Sequence, residues 1–271
     1  MTTPDQKRAR FRELHTSGCF VIPNPWDVGS ARMLQALGFE ALASTSSGFA
    51  WSTGRLDNEI PLDDALAHLR TLADATDLPL NADFENGYAD APEEVAANVR
   101  RALDTGVAGL SIEDMSHAPG KPLYETELAV ERVEAARAAI DAEGSGAVLV
   151  ARAEGLLVGQ MDLRTTLDRL ALLAGAGADC LYAPGLRTTE DIATAVKAVT
   201  PKPLNVLMWT DGPTVAELAG LGVRRISVGG ALARVAYGAF LRAAGQIAGE
   251  GRFERLADAA TGAEISKLLR P

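Results

Sequence analysis

Pro79-Leu80-Asn81-Ala82-Asp83-Phe84-Glu85-Asn86-Gly87-Tyr88 opens as a short apolar run and finishes in carboxylates. With a side-chain period of two, Asp83 and Glu85 point the same way if the strand persists that far. The next apolar run, Gly109-Leu110-Ser111-Ile112-Glu113-Asp114, repeats the pattern and sets another carboxylate one strand over, about 4.8 Å away. A third, Ala147-Val148-Leu149-Val150-Ala151, ends in Arg152 and Glu154, again on one face. Between such runs the chain has helical periodicity: Val95, Val99, Ala102 and Leu103 share one stripe, Leu163, Leu167 and Leu170 another. Apolar runs alternating with amphipathic helices mark parallel βα units.

Followed outward in both directions, the alternation yields eight strands buried on both faces: Cys19–Pro23, Ala41–Thr45, Pro79–Asp83, Gly109–Glu113, Ala147–Ala151, Cys180–Tyr182, Pro203–Leu207 and Arg225–Val228. Pro92 before Glu93 and Glu94, Thr188 before Asp191, and Pro213 start helices, and Gly38, Gly106 and Gly222 stand where helices stop. The pattern predicts an α/β fold, a (β/α)8 TIM barrel occupying residues 1–271 as one domain, with an N-terminal helix over about 4–15 and a helical tail over about 231–270. A doubly wound sheet would carry a Gly-rich phosphate turn after its first strand. Here that strand runs into Asn24-Pro25-Trp26-Asp27 instead.

Composition narrows the function. The 271 residues are 47% hydrophobic and 23% charged, which is globular, and the net charge of -10 argues against a nucleic-acid partner. No stretch approaches a membrane span and no signal-like segment begins the chain, so the expected compartment is the cytoplasm. Cys19 and Cys180 each lie in an apolar run and read as buried thiols. His15, His68 and His117 show no zinc spacing.

Catalytic residues of such barrels come from the C-terminal strand ends, where this chain gathers acids. Asp83, Glu85 and Glu113, with Asp57 within reach from the loop after the second strand, would repel one another without a proton or cation between them. All-oxygen donors suit Mg²⁺ or Mn²⁺. Asp114 and Asp90 read instead as helix caps and first-turn charges. Arg152 aims a fork of donors into the acidic mouth, to neutralise carboxylates, to recognise a substrate carboxylate or oxyanion, or both. Thr45-Ser46-Ser47-Gly48 offers hydroxyls and N–H groups to an anion, and Asn205 offers an amide or is a satisfied core residue. No Walker loop, nucleophile elbow or Ser/His/Asp arrangement is present.

Taken in order, Asn24-Pro25-Trp26-Asp27, Thr45 to Gly48, Gly54 with Asp57, Asp83 to Tyr88, Ile112-Glu113-Asp114, Ala151-Arg152-Ala153-Glu154, Gly177-Ala178-Asp179, Pro203 to Leu207 and Leu221 to Gly229 resemble the isocitrate lyase/phosphoenolpyruvate mutase superfamily over nearly the whole chain. The resemblance implies a (β/α)8 barrel that binds Mg²⁺ and an α-keto or related carboxylate, as a homodimer or homotetramer exchanging a C-terminal helix between subunits. It makes Asp57, Asp83, Glu85 and Glu113 the metal carboxylates, some through water. It sets Arg152 against the substrate, has Trp26, Thr45, Ser46 and Ser47 line the pocket and hold the substrate carboxylate, and has Asn205 close the far side. Glu85 stands where many relatives have Asp.

The departures concern the reaction. Isocitrate and methylisocitrate lyases carry a Lys-x-Cys-Gly-His type segment after the fourth strand. Here the loop reads Met115-Ser116-His117-Ala118-Pro119-Gly120-Lys121-Pro122-Leu123-Tyr124, without cysteine. It also lacks the Lys-x-Asn-Ser or Lys-x-Thr type sequence of the phosphonopyruvate enzymes, and Ala183-Pro184-Gly185 supplies no acid or histidine after the sixth strand. The resulting expectation is a Mg²⁺-dependent lyase, C–C cleaving or decarboxylating, acting on a small α-keto or 2-hydroxy carboxylate but not a true isocitrate or methylisocitrate lyase. Arg152 and Glu113 would carry the chemistry, with His117 or Lys121 as the acid on a closing lid. The alternatives are an α-keto-acid-binding protein with little turnover, or a P–C bond hydrolase or mutase.

Overall fold

The computed structural model describes residues 2–116 and 118–270. Its strands are β1 (Phe20–Ile22), β2 (Leu42–Ala43), β3 (Leu80–Asp83), β4 (Gly109–Glu113), β5 (Val148–Arg152), β6 (Cys180–Tyr182), β7 (Leu204–Leu207) and β8 (Arg225–Ser227). They form one parallel sheet in the order β1-β8-β7-β6-β5-β4-β3-β2. Across the remaining gap the Ala43 N–H donates to the Pro23 carbonyl at 3.1 Å, so the sheet is a nearly closed (β/α)8 barrel. Every expected strand is present, trimmed by a residue or two at half of the ends. β5 runs one residue further than expected, and Arg152 is its last residue.

β3, by contrast, stops at Asp83. Glu85 and Tyr88 take left-handed backbone conformations (φ 45° and 57°), in a turn held by Gly87 N–H on the Phe84 carbonyl (2.8 Å) and Tyr88 N–H on Asn86 Oδ1 (3.0 Å). Strand periodicity therefore does not carry through to Glu85.

The helices are α1 (Pro4–Leu14), α2 (Val28–Ala36), α3 (Ser46–Ser52), α4 (Leu62–Ala75), α5 (Pro92–Leu103), α6 (Thr126–Ala142), α7 (Leu163–Gly175), α8 (Thr189–Val199), α9 (Val215–Gly220), α10 (Ala231–Glu250) and α11 (Gly262–Leu269). The stripes read from the sequence are core faces: Val95, Val99, Ala102 and Leu103 of α5 are all buried.

α1 closes the N-terminal end of the barrel. Its Phe11 is fully buried and meets Phe20 of β1 edge-on. Gly109 of β4 makes room for that ring, because a Cβ there would lie 2.8 Å from Phe11 Cε1 and 2.7 Å from the Val148 carbonyl oxygen. Lys7 donates to the carbonyls of Ala73 and Thr76, and Arg8 to those of Leu103 and Val107, so buried cations of α1 cap the C-terminal ends of α4 and α5.

α10 packs differently. Of its twenty residues only Ala233 is buried, and Val235, Phe240 and Leu241 are each about two-thirds exposed. α11 turns back and packs on α2. Among the described residues no helix is long and apolar enough to cross a membrane.

Candidate active site

Inside a barrel, alternate residues of each strand face inward. On β5 these are Val148, Val150 and Arg152; the first two join Phe20, Ile22, Ala43, Cys180 and Tyr182 in an apolar floor. Above that floor the inward positions turn polar, and a cavity of about 310 Å³ opens at the C-terminal mouth. Asp83, Ser111, Glu113, Arg152, Glu154 and Ser227 line its depth.

Arg152 is the hub. Its Nη1 meets Asp83 Oδ1 at 2.7 Å, Nη2 meets Glu113 Oε2 at 3.0 Å, and Nε meets Glu154 Oε1 at 2.7 Å, while its guanidinium lies 5.1 Å from the Tyr182 ring centroid. Burial works against the charge, but Glu154, Glu113 and Asp83 outweigh it and hold Arg152 protonated well beyond its ordinary range. A guanidinium has five N–H donors, so two stay free after these three contacts.

The carboxylates are not fully neutralised. Burial pushes Glu113 well above the usual range, against the pull of Arg152 and with the push of Glu154 and Asp83. Glu154 is raised chiefly by burial, with its Oε2 buried and without a partner. Asp57 is raised by burial and by Asp83. Glu85, raised to about 7 by burial and then by Asp83, accepts from the Tyr88 hydroxyl at 3.2 Å. One guanidinium thus faces five acids. Excess negative charge on hard oxygen donors is the environment a divalent cation neutralises.

Ligation has a limit, however. Among the described residues no three carboxylate, imidazole or thiolate groups are drawn together closely enough to hold a metal directly. Asp83 is occupied on both sides, by Arg152 and by the Ser46 N–H (3.0 Å) and hydroxyl (3.1 Å). Glu85 is buried beside the cavity rather than in its lining. The arrangement suits one or two direct carboxylates with water completing the shell, which is how Mg²⁺ is commonly held.

The anion-binding turn is in place. Thr45 caps α3, Thr45 Oγ1 and Ser47 Oγ are 3.1 Å apart, and Thr45, Ser46 and Ser47 all line the cavity. Trp26 is not among the lining residues. It backs the turn: a Cβ on Gly48 would lie 3.0 Å from Trp26 Cβ and 2.7 Å from Thr45 Cγ2, so glycine is needed there. Asn205 is fully buried, donates to Ser227 Oγ at 3.0 Å and leaves Oδ1 unpartnered, and it also stays out of the lining. Lys121 is exposed outside the cavity. His117 lies outside the described residues. The loop expected to act as a closing lid is pinned at its base as a short hairpin, with Met115 bridging Leu123 and Ser116 N–H donating to the Pro122 carbonyl at 2.8 Å. Asp114 and Asp90 cap no helix. Asp114 is ion-paired with Arg169 at 2.7 Å and Asp90 accepts from the Tyr124 hydroxyl, so both are structural in a different way.

Several lining residues went unassigned in the sequence. Glu154 was placed on Arg152's face without a role. Asn24 accepts from Val228 N–H (3.0 Å) and Gly229 N–H (2.8 Å) and donates to the Ser44 carbonyl (2.8 Å), tying β1, β2 and β8 together at the mouth. Trp51, Trp209 and Arg234 come from loop and helix positions that no strand period marks.

A nearly closed (β/α)8 barrel with an arginine held among carboxylates at its C-terminal mouth has the form of an enzyme for small oxyanions. The phosphoenolpyruvate phosphomutase family model matches residues 11–248, and the chain belongs to that family, within the isocitrate lyase/phosphoenolpyruvate mutase superfamily. An uncharacterized protein of Mycobacterium tuberculosis is 33% identical over 240 residues, 88% of this chain and 87% of that one. The 2-methylisocitrate lyase of Escherichia coli is 33% identical over 161 residues, covering 56% of this chain and 53% of the enzyme. A Burkholderia cenocepacia crystal structure with a provisional lyase/mutase assignment superposes with a TM-score of 0.94 at 45% identity, covering 99% of this chain and 97% of that one.

Proposed function

We propose that the chain is a Mg²⁺-dependent lyase, with Mn²⁺ able to substitute, that breaks a C–C bond or removes CO₂ beside the carbonyl or hydroxyl carbon of a small α-keto or 2-hydroxy carboxylate through an enolate. The observation that carries this reading is the triply bound Arg152 at the base of a cavity whose other acids are short of counter-charge. Asp57, Asp83, Glu85 and Glu113 would hold the cation, partly through water, and when bound it supplies Lewis-acid stabilisation of the developing oxyanion.

The chain's own groups do the rest. Thr45, Ser46 and Ser47 and the start of α10 at Gly229-Gly230 line the side of the cavity where a carboxylate finds hydroxyls and the positive end of a long helix. The two free N–H groups of Arg152 bring fixed positive charge to the oxygen on which charge accumulates, with no reorganisation because three carboxylates hold the guanidinium still. The Tyr182 phenol, kept protonated by burial, packs against that guanidinium. The exposed apolar side of α10 supports a homo-oligomeric assembly.

Calorimetric titration of oxalate and pyruvate into wild type and Asp83→Ala, in Mg²⁺ and in EDTA, tests the reading. Binding should need Mg²⁺ in wild type and be lost in the variant, since Asp83 fixes both Arg152 and Ser46. Equal binding in EDTA would remove the metal, and with it the mechanism.

A further inference from the structure

We infer that Tyr182 is the acid of this reaction: its phenol protonates the carbon of a 2-oxo acid enolate, and Arg152 and Ser227 hold the phenolate left behind. The inference rests on the function proposed above and supplies the proton donor that the loop after β4 lacks.

Collapse of an enolate needs a proton donor inside the cavity. At its depth Asp83, Glu113 and Glu154 all accept from Arg152, and the Ser111 hydroxyl donates to the Ala82 carbonyl at 3.2 Å. Tyr182, the last residue of β6, is buried and lines the same cavity. In the parallel register it stands beside Arg152 of β5, which stands beside Glu113 of β4. One layer of inward side chains thus joins acid, guanidinium and phenol, with 5.1 Å between the guanidinium carbon and the Tyr182 ring centroid. On its other side Tyr182 neighbours Asn205 of β7, whose Nδ2 donates to Ser227 Oγ at 3.0 Å. With its oxygen accepting from Asn205, Ser227 turns its own hydrogen to the Tyr182 oxygen. The proton of the phenol is then left for the cavity.

The surroundings suit a group that must hold its proton at rest and release it once. Burial raises the phenol above its ordinary value, so it is protonated at neutral pH, while Arg152 and then Ser227 act in the other direction by favouring the phenolate. Both groups are in place before the proton leaves. When the C–C bond breaks, its electron pair becomes the C=C bond of the enolate and the carbonyl π pair moves onto oxygen. The enolate carbon then takes the Tyr182 proton, the O–H pair stays on the phenol oxygen, and the phenolate regains a proton from water in the open cavity. Loss of CO₂ consumes one proton overall. Release of an aldehyde or ketone fragment consumes none, because the hydroxyl of the substrate has given one up. Placed on β6 beside Arg152, Tyr182 serves the carbon next to the oxo group rather than the far half of a longer substrate beneath the loop after β4.

Run backwards, the step is removal of a methyl proton from pyruvate, which proton NMR in D₂O follows as loss of the methyl signal. The full chain with Mg²⁺ should exchange these protons faster than Mg²⁺ alone. Tyr182→Phe should slow the exchange about 100-fold or more, the usual contribution of a positioned acid or base. Ser227→Ala, which removes one hydrogen bond to the phenolate, should slow it about tenfold. Calorimetry with oxalate, a planar mimic of the enolate, should find both variants binding in Mg²⁺ within about threefold of wild type, because neither change touches the charges that hold the anion. Exchange in Tyr182→Phe at the wild-type rate would overturn the inference, as would a wild type that binds oxalate but exchanges no faster than Mg²⁺ alone; either leaves the metal-dependent lyase standing. Should Tyr182→Phe fail to bind oxalate, Ser227→Ala decides, and an unchanged rate there overturns the role of the phenol. If wild type does not bind oxalate in Mg²⁺, the proposed function falls first and this inference with it.

Discussion

Glu85→Gln isolates the charge that the site leaves uncompensated. Glu85 is 4% exposed, and burial followed by the nearness of Asp83 raises its carboxyl from 4.5 to about 7. Ionising it in the folded chain therefore costs about 3 kcal/mol more than in the unfolded chain. Because the folded value is the raised one, this cost is absent below pH 4.5, grows between 4.5 and 7, and is complete above 7. Glutamine keeps the shape and an acceptor for the Tyr88 hydroxyl but never ionises. With an unfolding entropy of about 2.1 cal/mol/K per residue across the chain, 3 kcal/mol corresponds to about 5 °C. In EDTA at pH 8 the variant should melt about 5 °C above wild type by differential scanning fluorimetry, and the gap should shrink to almost nothing by pH 5. Mg²⁺ at pH 8 should narrow it too, since the cation rewards the ionised carboxylate and not the amide. A gap unchanged between pH 5 and 8, or a wild type that is the more stable of the two at pH 8 in EDTA, would refute the reasoning.

Arg152→Met removes the partner of two buried carboxylates, Glu113 and Glu154, and of the partly buried Asp83, and should cost about 3–5 kcal/mol at pH 8. The loss should diminish on acidification as Glu113 and Glu154, both already raised by burial, take up protons; a melting-temperature deficit independent of pH would count against an ionic role. Isocitrate and 2-methylisocitrate should yield little glyoxylate or pyruvate at saturating Mg²⁺, because the loop after β4 has no cysteine and Lys121 lies outside the cavity. A coupled assay that returns about 1 s⁻¹ or more on either substrate would show that another acid serves.

The barrel was legible because its signal is periodic and local. Buried parallel strands are short apolar runs, and their polar continuations identify the C-terminal mouth without knowledge of any neighbour, which is why Asp83, Glu113 and Arg152 could be assigned to one site from single strands. The period held where the strand held. It failed at Glu85, two residues past the end of β3, because the turn from Phe84 to Tyr88 uses left-handed conformations that an alternating pattern cannot encode. Glu85 still reaches the same group of charges, but from behind the lining rather than within it. The tryptophans were hard to place for a related reason. Trp26 sits in a recognisable motif and turned out to support the Thr45–Gly48 turn, whereas Trp51 and Trp209 reach the mouth from α3 and from the loop after β7, where long-range packing decides direction.

Glu154 shows what sequence periodicity leaves open even when it succeeds. Its side, shared with Arg152, follows from the spacing of two. Its role depends on a count of partners: Oε1 meets Arg152 at 2.7 Å, Oε2 meets nothing, and the residue is wholly buried against the cavity. An unpaired buried carboxylate oxygen is costly, and the guanidinium beside it offsets only part of that cost. The same imbalance recurs at Asp57, Glu85 and Glu113, each raised by burial. Four separate stretches of chain thus carry charge that their own contacts do not satisfy, and all four border one cavity. A fold selected for stability alone would have paired or removed these groups, so their persistence around Arg152 is the strongest physical reason to look for a cation and an oxyanion there.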